Sequence, residues 1–144
     1  MNQYRELCKK QQQEISALPI RYAFGDKRFR EMMTAWDLAP EKDLDKVCKL
    51  GHAGGFCRKV DVQLVRDTLD RHTEERKAAI AEDQTGAGFI YQMFLYELNS
   101  HEYGYTEDVE ETLDALGYTL EQILEDRRLL HGLKMAQEKI TGRR

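Results

Sequence analysis

Residues 85–105 read TGAGFIYQMFLYELNSHEYGY, and the fold depends on what this stretch becomes. Between Phe89 and Leu98 only Gln92 and Glu97 are strongly polar, so at a helical period the apolar side chains go all the way round. That is the pattern of a helix buried on every side. A fully buried strand is the rival, but the run is long and passes into Asn99, Ser100, His101 and Glu102. The spacing predicts a central helix with Phe89, Met93, Phe94 and Leu98 among its core residues. The class is then mainly all-α, with other helices packed around this one and room for one short strand pair.

The length of 144 residues suits a single domain over 1–144 with one ordinary core, the tail TGRR at 141–144 fraying. At 33% charged and 41% hydrophobic the composition is globular. A net charge of -4 argues against broad adhesion to nucleic acid or to an anionic membrane. Cys8, Cys48 and Cys57 are odd in number and lack CxxC spacing, which argues against a disulfide framework or a structural zinc site and suits a reducing cytoplasm. The opening MNQYRELCKKQQQEI is polar and helical, with no apolar run of spanning length, so a cytoplasmic chain is expected.

Outward from the centre, residues 2–17 read as an amphipathic helix stopped by Pro19. Ile20 to Phe24 alternates like a strand but is short. Asp26 is positioned to cap a helix, KRFREMMTAW, with Phe29, Met32, Met33 and Trp36 inward. Leu44, Val47, Cys48 and Leu50 suggest a further helical turn or two ending at Gly51. Asp61 is placed to cap a long helix to about Glu82, whose apolar stripe is interrupted by His72 and Arg76. Thr106 is placed to cap EDVEETLDAL, and Gly117 to end it. Thr119 with Gln122 has capping-box spacing, and Asp126 precedes a last helix with Leu129, Leu130, Leu133, Ala136 and Ile140 inward.

Two stretches carry candidate chemistry. In GHAGGFCRK, residues 51–59, Gly54 and Gly55 allow close backbone approach to an anion. Arg58 and Lys59 supply charge there, and Phe56 offers a stacking face. It is neither a P-loop nor GxGxxG, and an ordinary connection with two solvated cations is the simpler reading. At the end of the central helix, Asn99, His101, Glu102, Tyr103 and Tyr105 can hydrogen-bond and stack a polar ligand, or simply terminate the helix. Taken together, the two stretches would form a site for a phosphorylated small molecule.

Other constellations are weaker. His72 or His101 with Glu102 or Asp70 gives a hydrolase reading without any local nucleophile signature. No HExxH or i,i+4 histidine pair suggests a metal site, and no cofactor is expected. ETLDALGYTLEQILED has the rhythm of a helix-turn-helix, but its second helix presents acids where a DNA reader needs donors. Tyr91, Tyr96, Tyr103 and Tyr105 are much aromatic surface for a small helical core, so a symmetric dimer through them is also an expectation.

The runs GGFCRKVD, GAGFIYQMFLYELNSHEYGYTEDVEETLDALGYT and DRRLLHGLKMA, nearly spanning the chain, resemble a family of short uncharacterised proteins. These are encoded by phages, plasmids and integrative elements of clostridia and related Firmicutes. The resemblance carries no catalytic residue to any position here. What it implies is a mobile-element setting, in which small proteins often inhibit bacterial defence. The expectation is a non-enzymatic binder of a host defence protein or of a phosphorylated small molecule.

Overall fold

The structure is a computed structural model that describes residues 1–51 and 54–143. Two compact units are present, one of residues 1–11 with 74–144 and one of residues 12–73. Helices α1 (Gln3–Ser16) and α3 (Val62–Glu82) contribute residues to both.

The larger unit is built on α4 (Phe89–Ser100), the central helix expected from its all-round apolar pattern. Phe89, Ile90, Met93, Phe94 and Leu98 are buried on it. The other elements of this unit are α5 (Tyr103–Thr106), α6 (Glu110–Leu116), α7 (Leu120–Glu125) and α8 (Arg127–Thr141), with the start of α1 and the end of α3. Helix α8 brings Leu129, Leu133 and Ala136 into the core along α4. The two axes approach closely because position 132 is glycine, where a Cβ would stand 2.6 Å from Ile90 Cγ2 and 2.7 Å from the Gly86 carbonyl oxygen.

The glycines before α4 serve a tight connection. The Asp83 carboxylate accepts hydrogen bonds from the backbone N–H groups of Thr85, Gly86, Gly88 and Ile90. Burial works to raise its pKa, but those donors hold it below the usual aspartate value. Arg128 Nη1 donates to the Ile80 and Asp83 carbonyls, satisfying orphan acceptors at the end of α3. The capping box at Thr119 and Gln122 is formed, and Asp126 accepts from the N–H groups of Arg128 and Leu129. Gly117 takes the left-handed conformation that ends α6.

The smaller unit holds β1 (Arg21–Tyr22), α2 (Gly25–Ala35), β2 (Val47–Leu50) and β3 (Gly55–Arg58). The strands form an antiparallel sheet in the order β1-β3-β2, with Arg21 opposite Phe56 and Cys48 opposite Cys57. Met32 and Met33 of α2 are buried with Ala23, and Phe29, Trp36, Leu38, Val47 and Phe56 pack on them.

Several expectations are corrected. Residues 47–50 are a strand, not a helical turn; β3 supplies backbone partners that a four-residue helix lacks. Asp26 lies inside the first turn of α2 and pairs with Arg30. Asp61 binds Arg58 at 3.0 Å instead of capping α3. Thr106 ends the extra turn α5, and α6 starts later, where Asp108 accepts the Glu110 N–H. Among the described residues, no helix is long and apolar enough to cross a membrane.

Candidate functional site

The glycine-rich stretch belongs to the smaller unit, where most of it is the β2–β3 hairpin; residues 52 and 53 lie outside the described residues. Gly54 takes a φ of +75°, and a Cβ there would meet the Phe24 ring at 2.6 Å. Gly55 has ordinary strand backbone and packs under Tyr22, so of the two glycines only Gly54 takes a positive φ. Phe56 packs edge-on against Phe29 at 5.3 Å, as part of the small core. Arg58 Nε donates to Asp61, while Lys59 is exposed. The local sequence thus folds as a hairpin whose aromatic ring faces inward.

The end of α4 belongs to the larger unit. His101 Nδ1 faces the Glu97 carbonyl oxygen at 2.8 Å and must donate to it, leaving Nε2 as the acceptor in the neutral ring. Glu102 sits in the left-handed region and is exposed, and Asn99 is exposed beside it. Tyr103 is buried in the core, whereas Tyr105 is 90% exposed. The two tyrosines therefore stand in opposite environments and do not clamp a base between them. Tyr91 and Tyr96 are half-buried against the same core, so three of the four tyrosines are taken up by packing.

In the smaller unit, Arg71 holds the carboxylate of Glu14, and its guanidinium keeps that group below the usual glutamate range. His72, which is buried, has Nε2 3.6 Å from the same carboxylate. Glu14 had no local signal, because 57 residues separate it from Arg71. Asp70 is exposed and, two residues from His72 on one helix, projects from another face.

A fourth feature is formed only by the fold. On the larger unit, α6, α7 and their connection frame a groove of about 360 Å³. Val109, Leu113, Tyr118 and Leu120 line it, with Asp108, Glu110 and Asp114 around them. Burial pushes the Tyr118 hydroxyl pKa up. The available signal was the run from Glu107 to Asp126, which holds eight carboxylates, no lysine or arginine, and leucines at 113, 116, 120 and 124. Neither nucleophile nor metal-ligand geometry marks this groove; its chemistry is apolar contact framed by negative charge.

Residues 3–139 match the model of a family of unknown function (DUF7659), and the chain belongs to that family. No curated protein matches the chain, and no solved structure does.

Proposed function

We propose that this member of a family of unknown function acts in the cytoplasm by binding a protein partner rather than by turnover. In the mobile-element setting implied by the resemblance noted above, the partner is a component of bacterial defence. The observation that carries the reading is the α6–α7 groove, an exposed apolar surface of the kind that marks interaction sites. Leu120 and Leu124 remain 55% and 59% exposed beside it. A protein partner is preferred to a phosphorylated small molecule because Phe56 packs inward and Arg58 is engaged by Asp61. Turnover is disfavoured because Asp70 and His72 leave α3 on different faces.

The test is restoration of plaque formation in bacterial strains that each carry one defence system. Expression of the chain should relieve at least one system, and a Leu120→Ser/Leu124→Ser variant with an unchanged melting curve should lose that relief. If no strain responds to the parent chain, defence is not its target.

A further inference from the structure

The groove has a floor, a rim and a strip leading out of it, and the three differ in chemistry. Val109, Leu113 and Tyr118 make the apolar floor. Glu110 and Asp114 stand exposed at the rim. Leu120 and Leu124, four residues apart, continue the apolar surface along one face of α7. Between Glu107 and Asp126 there are eight carboxylates and no cationic side chain, although the chain has 22 Lys and Arg. The rest of the chain, with 22 cationic and 18 anionic side chains, is net positive, so this segment carries the chain's net negative charge, and Asp108, Glu110 and Asp114 bring it to the groove. Among the described residues, Glu107 pairs with Arg143 and Asp126 with Arg128, while Asp108 is spent on the Glu110 N–H.

We infer that the groove receives one amphipathic helix of a partner protein, with apolar residues seated on the floor and the α7 strip and with lysines or arginines facing the rim. The sign of the partner follows from charge complementarity, which steers encounter and fixes register at such surfaces. The helical form follows from what builds the groove: its lining comes from two helices and their connection, and strand addition needs an open sheet edge that these elements do not supply. At about 360 Å³ the groove is at the low end for a small-molecule pocket, and the leucine strip extends the surface by a further turn. That outline suits a rod with anchors at i, i+3 or i+4 and i+7 rather than a compact ligand. The inference rests on the binding reading above and supplies the chemistry of the partner.

The probe is a display library of random peptides about 16 residues long, enough for a helix once docked, selected on the intact chain. Enriched peptides should be net basic with helical apolar spacing. Their affinity should fall at least about tenfold with Glu110→Lys/Asp114→Lys and with Leu120→Ser/Leu124→Ser, and should weaken as salt rises. Each variant is checked by its melting curve. Enrichment of acidic or uncharged peptides, or binding indifferent to both variants, overturns the inference. So does a sedimenting dimer abolished by Leu120→Ser/Leu124→Ser, which would make a second copy the occupant. Successful selection without relief of any defence system would sink the defence reading and leave this one standing.

Discussion

The Tyr4 hydroxyl donates to Glu97 Oε1 at 2.6 Å, tying the start of the first helix to the central one. The Tyr4 ring also lies 5.9 Å from Phe89 and 5.7 Å from Tyr96, centroid to centroid. Burial, and then the Glu97 carboxylate, push the Tyr4 pKa well above its ordinary value, so the hydroxyl stays a donor throughout the physiological range. Tyr4→Phe should cost roughly 1.5–3 kcal/mol, the value of a hydrogen bond to a charged group. In a double-mutant cycle with Glu97→Gln the two losses should not add. Additive losses would show that the contact contributes nothing of its own.

Phe94 is fully buried at the middle of α4. Phe94→Ala should destabilise the protein by about 3–5 kcal/mol in denaturant melts, through lost transfer energy and the cavity left behind. An unchanged midpoint would contradict the placement of α4 in the core.

At Gly86 the φ is +88° and a Cβ would fall 2.0 Å from the Arg128 carbonyl oxygen, whereas at Gly117, with a φ of +80°, it would meet open space. Gly117→Ala should cost about 1–2 kcal/mol from left-handed backbone alone. Gly86→Ala adds an overpacking cost of roughly 1–3 kcal/mol and should be the more damaging of the two. Equal melting temperatures for the two variants would contradict the close approach.

Asp83 gives a pH dependence of definite sign. Its folded pKa is held down by backbone donors, so its stabilisation is fully present above the unfolded value of about 3.9 and is lost as pH falls through the lower folded value. The stability difference between the parent and Asp83→Asn should therefore be largest near neutrality and shrink in acid. A difference that grows in acid would reverse the assignment.

The central helix, Gly117, the capping box and the Asp126 cap were legible because each rests on local pattern: all-round hydrophobicity, a lone glycine, three-residue spacing. The β2 strand was not, since Val47 to Leu50 becomes a strand only when β3 is beside it. Asp26, Asp61 and Thr106 look like caps in isolation, and only the fold shows Asp26 and Asp61 committed to arginines and Thr106 to the Asp108 N–H. The boundaries of the two units fall within α1 and α3, so no linker marks them in the sequence. Residue type marks the candidate ligand residues, and type says nothing of direction: Tyr103 turns inward and Tyr105 outward. The acidic run is legible in the sequence, but the groove is not, because Val109 and Leu113 meet Tyr118 and Leu120 only once the two helices fold together.

Photocrosslinking inside cells tests whether the α6–α7 surface meets a partner. A benzoylphenylalanine replaces Leu124 beside the groove in one variant and the exposed Lys59 by the hairpin in another. A discrete adduct is expected from position 124, with a protein whose crosslinked peptide is basic and of helical apolar spacing, and it should disappear when Glu110→Lys/Asp114→Lys is added. A discrete adduct from position 59 with none from position 124 would contradict it and return the functional surface to the glycine-rich hairpin.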